Sequence, residues 1–144
     1  MTIDIAPWSG PVAVTLVYVL VYYGFMIRQA RVKFALTAAY RARGEKFDRY
    51  FGNDREMLAA DRVMLNMHEH MAPFLVLLWL HAAFVGTTGA TVAGAIYVGA
   101  RLAYPLLLGN RLGRGIPMRI VAATGTGYLV LGYFVAALGA ALLL

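Results

Sequence analysis

The chain has 144 residues, 61% of them hydrophobic, with no cysteine and a formal net charge of +6. A water-soluble domain of this length cannot hide so much apolar surface, since average usage is about 45–50%. The lack of cysteine excludes disulfides, thiolate metal sites and a cysteine nucleophile, and the positive charge does not point to nucleic acid because it is confined to particular loops.

The apolar residues fall in runs free of Asp, Glu, Lys and Arg over 5–27, 70–100 and 120–144. A membrane-crossing helix needs about 20 such residues, because ~30 Å of hydrocarbon is covered at 1.5 Å per residue. The chain therefore reads as an all-α integral membrane protein. Helix 1 is expected over about 8–40, crossing the membrane by Ile27 and running on through the basic stretch after Arg28 until Gly44. A cleaved signal peptide is disfavoured, because Asp4 stands where a basic segment would be and no small-residue cleavage pattern follows. Gly44–Gly52 reads as a loop.

Asn53 followed by Glu56 resembles a capping box and opens helix 2, expected over 54–86. A tight turn at Gly86–Gly89 leads to helix 3 over 91–108, and Gly109–Pro117 forms a loop before helix 4 over 118–142. With no linker and no repeat, residues 1–144 form one four-helix domain. All thirteen Lys and Arg lie between 28 and 119, with none at either end or in the 86–91 turn. The positive-inside rule puts loops 1 and 3 in the cytoplasm and both termini outside. On helix 4, Gly132, Ala136 and Ala140 form a small-residue stripe that serves close packing, either within the subunit or between subunits.

The chemistry concentrates on helix 2. Arg62, Asn66, Glu69 and Pro73 fall at i, i+4, i+7 and i+11, one stripe of a helix. Pro73 has no N–H, so the Glu69 carbonyl loses its usual helical donor. Glu69 is expected near the inner interface. Arg101, ten residues after Thr91, falls about 15 Å below the outer end of helix 3. A charge so deep should face the bundle interior with a partner, and Glu69, the only acidic residue near membrane depth, is the candidate. Such a pair serves either to hold helices together or to bind something. His68-Glu69-His70 lacks the HExxH spacing that puts two histidines on one face, so no metal site is expected. His81 reads as a packing histidine.

The pattern Arg62-x3-Asn66-x2-Glu69-x3-Pro73-Phe74 resembles the signature of the MAPEG family, the membrane-associated proteins in eicosanoid and glutathione metabolism. Arg101-Leu102-Ala103-Tyr104 and Ile116-Pro117-Met118-Arg119 are similar to further motifs of that family, and the resemblance, closest to bacterial microsomal glutathione transferase-like members, covers essentially the whole chain. It implies a homotrimer of four-helix subunits holding glutathione between neighbours near the cytoplasmic face. Arg31, Arg62 and Arg101 would meet its carboxylates, Glu69 would meet its amine or orient an arginine, and Asn66 would both donate to and accept from its backbone, with Tyr104 in the same site. Arg119 resembles the arginine that stabilises the thiolate. Two positions depart from the pattern: Leu108 stands where many members have tyrosine, and Tyr104 where some have histidine.

The function implied is a membrane-bound glutathione transferase, with or without peroxidase activity, that joins a thiolate to lipophilic electrophiles in the bilayer. The alternative is a non-catalytic lipid-binding or scaffold member of the same family. A small proton-coupled exporter is disfavoured, because such proteins carry their essential carboxylate in the first helix, which here is charge-free across the membrane.

Overall fold

The computed structural model describes residues 4–113, 115 and 118–143. After a short 3-10 turn at Ala6–Trp8 come four helices: α1 (Ser9–Ala42), α2 (Arg55–Phe84), α3 (Thr87–Leu108) and α4 (Met118–Leu142). Each is long and apolar enough to cross a membrane, and there is no strand among the described residues. With its 34 residues α1 is about 51 Å long, well beyond the ~30 Å of hydrocarbon, so its last turns stand outside the bilayer. It stops at Gly44, whose φ of 73° only glycine adopts without strain.

Two boundaries differ from the sequence reading. The cap of α2 is Asp54, not Asn53; its carboxylate accepts from the backbone N–H groups of Glu56 and Met57 at 2.9 and 3.1 Å. The carboxylate one residue on meets two orphan donors at once, and Glu56 faces Arg111 at 3.7 Å. The second difference is the start of α3 at Thr87 instead of residue 91. His81 makes this tight turn possible. Its carbonyl accepts from the N–H groups of Val85 and Gly86, and its Nδ1 meets the Gly86 carbonyl at 3.2 Å. An acceptor opposite Nδ1 fixes the proton on that nitrogen. The His81 ring packs against Tyr133 and Phe134, as a packing histidine should.

One part of the core is aromatic. Phe74 and Tyr97 stack at 3.9 Å with planes 7° apart, and Tyr18 leans on Phe74 while its hydroxyl donates to the Met67 carbonyl. A second cluster toward the other end joins Ala59, Val63, Tyr104, Leu108, Ile120 and Ala123. The segments beyond that end are pinned by polar contacts. Asp61 takes a bidentate pair of bonds from Arg49 at 2.9 Å and a third from Gln29 at 2.7 Å, which ties loop 1 to both α1 and α2. Arg55 and Leu112 exchange bonds, and Arg28 donates to Asn110, so the loop after α3 lies across the start of α2.

Gly132, Ala136 and Ala140 all lie exposed on α4, and a Cβ added at Gly132 meets nothing. The stripe does not pack within the subunit. Of the two readings of this stripe, the internal one is excluded.

Candidate functional site

The helix 2 stripe splits between two faces. At 100° per residue, Asn66 sits about 40° from Arg62 on one side and Glu69 about 20° on the other. The buried arc of α2 contains Val63, Met67, His70, Phe74 and Leu78 and lies on the Asn66 side. Asn66 is therefore buried, whereas Arg62 and Glu69 keep 44% and 41% of their side chains exposed and face each other at 3.6 Å. The α2 helix continues through Pro73 without a break.

This geometry corrects the expected partner of Arg101. Because α3 begins at Thr87, Arg101 lies about 21 Å from its first residue, farther along the helix than the expected start at residue 91 would place it. It is only 1% exposed, and its Nη1 donates to Asn66 Oδ1, not to Glu69. The guanidinium lies over the Tyr97 ring, 4.6 Å from its centroid. Its Nε and Nη2 are buried and have no hydrogen-bond partner among the described residues. Room for Arg101 comes from Gly127 on α4: a Cβ there would collide with Nη2 and lie 3.1 Å from Cζ.

Beside the Arg62–Glu69 pair opens a groove of ≈ 590 Å³, lined by Arg62 and Tyr104 and by apolar surface from Leu108, Ile120, Val121 and Tyr128. Tyr104 and Leu108 are buried in its wall. Arg119, on the first turn of α4 beside two groove residues, is exposed. Arg31 is exposed on α1. The structure thus puts Arg62 and Tyr104 in the groove lining, sets Glu69 against Arg62, joins Asn66 to Arg101 in the buried interior, and leaves Arg31 and Arg119 as cations on the surface. Of the Ile116-Pro117-Met118-Arg119 motif, Ile116 and Pro117 lie outside the described residues.

Three participants were not singled out from sequence. Arg28, one turn before Arg31, buries an Nη1 without a partner while Nη2 holds Asn110. Tyr22 donates to His68 Nε2 at 2.9 Å, and His68 Nδ1 donates to the Met64 carbonyl at 3.0 Å. Both imidazole nitrogens thus have a hydrogen-bond partner. Gly127 is the third; it is one of four glycines in α4, and only packing against Arg101 distinguishes it from Gly125, Gly132 and Gly139. Among the described residues no three His, Asp or Glu side chains come together as a metal site.

Fold and site define a multi-pass membrane protein with a cationic, polar rim on an apolar groove. The chain belongs to the MAPEG family, whose family model matches residues 10–140. That family acts in glutathione and eicosanoid metabolism and includes glutathione transferases. No curated protein matches the chain.

Proposed function

We propose that this protein is a membrane-bound glutathione transferase that joins the thiolate of glutathione to lipophilic electrophiles drawn from the bilayer. The observation that carries this reading is the half-exposed Arg62–Glu69 pair, whose Arg62 lines a largely apolar groove. A charged pair at membrane depth marks function by default. At 3.6 Å, and more than 40% exposed on each side, the pair can exchange partners without stranding a buried charge.

The residues fit the ligand. Glutathione has two carboxylates, an ammonium and a thiol. Arg62 and Arg31 suit the carboxylates, and Glu69 suits the ammonium. When bound, glutathione supplies a thiol whose anion is the nucleophile. The cation of Arg119 lowers the pKa of a thiol held beside it by favouring the charged form. Tyr104, Leu108, Ile120, Val121 and Tyr128 offer the electrophile a dry wall, which keeps water from competing. Arg101 is sealed away from the surface and does not contact the ligand in this scheme.

Loops 1 and 3 face the cytoplasm in this reading, with both termini outside, because the basic residues collect in those loops. The chain works as a homotrimer. The exposed Gly132, Ala136 and Ala140 stripe and the exposed polar edge of α2 support this, since both ask for a neighbour in place of lipid.

A second reading, a non-catalytic lipid-binding member, is favoured by Leu108, which makes the groove wall more apolar than a tyrosine would. The two separate in one assay. Detergent-solubilised protein should conjugate glutathione to a reactive aryl halide, and Arg119→Ala should remove that turnover. Bound lipid retained at unchanged affinity in Arg119→Ala, with no turnover in either form, favours the second reading.

A further inference from the structure

Loop 1 returns toward the membrane that α1 has left. By Ala42 the helix has run about 22 Å past Ile27, the last residue of its charge-free run. The chain then turns back along the crevice between α1 and α2. Phe47 packs on Leu36, Met57 and Ala60, and Arg49 reaches the Asp61 carboxylate that also holds Gln29. Gln29 lies only about 3 Å past Ile27 along the helix, and the headgroup layer is about 5–8 Å deep on each side. The Arg49 guanidinium therefore sits at headgroup level, and the Tyr50 ring centroid is 5.7 Å from it.

At this level the turn presents two rings outward. Asp48 Oδ1 accepts from the backbone N–H groups of Tyr50 and Phe51 at 3.1 and 2.9 Å, which fixes the bend. Gly52 closes it, since an added Cβ there would collide with the Asp48 carbonyl oxygen. Tyr50 is 85% and Phe51 90% exposed, more than any other aromatic among the described residues. The stretch from 28 to 62 carries nine Lys and Arg against five Asp and Glu, and Arg41, Lys46 and Arg55 are exposed.

We propose that the Tyr50–Phe51 turn is a membrane anchor, with its rings seated among the headgroups of the leaflet beside loop 1 and the neighbouring cations on acidic phospholipid. Aromatic rings favour this depth, and a net positive surface complements lipid phosphate. A second copy of the chain fits the turn less well, because it would bring two net positive loops together. Through Arg49 and Asp61 the anchor holds the first turns of α2 against the leaflet. This seating does not depend on which ligand the groove holds.

Photolabelling of the wild-type protein tests the anchor. The protein is reconstituted in vesicles of phosphatidylcholine and phosphatidylglycerol that include a phospholipid bearing a diazirine close to its headgroup. Trypsin then releases Tyr50–Arg55 as one peptide. That peptide should carry label, at about twice or more its level in phosphatidylcholine alone. An unlabelled Tyr50–Arg55 beside a labelled Met1–Arg28 overturns the anchor, and equal labelling in the two vesicle types overturns the part given to the cations.

A second measurement identifies what covers the rings. Combined with Trp8→Phe and Trp79→Phe, Phe51→Trp carries the lone indole, at a position open enough to accept it. Its fluorescence in vesicles should be quenched by lipids brominated near the headgroup. Shielding from acrylamide without that quenching means that protein covers the turn, and free access of acrylamide means that water does. Either result overturns the proposal.

Discussion

Replacing Gly127 by alanine puts a methyl group where the Arg101 guanidinium lies. The added Cβ collides with Nη2, sits 3.1 Å from Cζ and lies 3.5 Å from Tyr97 Cε2. None of these atoms belongs to a flexible tip with space to retreat, because Arg101 is held between Asn66, Tyr97 and α4. Either the bond to Asn66 breaks or α4 moves outward. Losing a buried hydrogen bond from a charged donor costs about 1.5–3 kcal/mol. Overpacking costs about 1–3 kcal/mol if the helix moves instead, and the better helix propensity of alanine returns at most ~1 kcal/mol. A net loss of about 2 kcal/mol is expected. Reversible unfolding in mixed micelles, compared with Gly99→Ala, measures it. A Cβ at Gly99 meets nothing, so that control carries the propensity gain without the clash. Equal stability of the two variants would refute the claim that Gly127 exists to seat Arg101.

Other outcomes follow from the same contacts. Arg119→Ala should leave the fold intact, since the side chain is exposed, and lower conjugation turnover by about 100-fold, as the loss of a charge-stabilising group does; turnover within a factor of two of wild type argues against its thiolate role. Asp61→Ala releases Arg49 and Gln29 together, so trypsin should cut loop 1 at Lys46 and Arg49 faster. The pair is about one-third exposed, so global stability should fall by only ~1 kcal/mol. Trp8 and Trp79, the chain's two tryptophans, stack at 6.3 Å near the start of α1 and the end of α2. Their fluorescence should be quenched more by lipids brominated near the headgroup than by lipids brominated at the chain ends. The reverse order would contradict the placement of α1 and α2.

The helices were legible because membrane crossing demands a long apolar run, and such runs show in the sequence without any knowledge of contacts. Their ends were less legible. Asp54 captured the cap from Asn53 because the choice depends on which oxygen reaches two N–H groups, and the early start of α3 depends on His81 closing the turn. In the site, periodicity found the right residues on α2 but could not say which side of a 60°-wide stripe turns inward. That is decided by the packing of Phe74 against Tyr97, which rotates Asn66 toward Arg101 and leaves Glu69 at the surface. Depth alone therefore chose the wrong partner for Arg101. Gly127 and Arg28 went unrecognised because each acts through a neighbour from another helix or loop.

The most direct test of the account is a calorimetric titration of the detergent-solubilised wild-type protein with glutathione. Saturable binding that is weakened in both Arg62→Ala and Glu69→Gln is the expected result. A flat titration under conditions where the protein remains folded would contradict the proposed function.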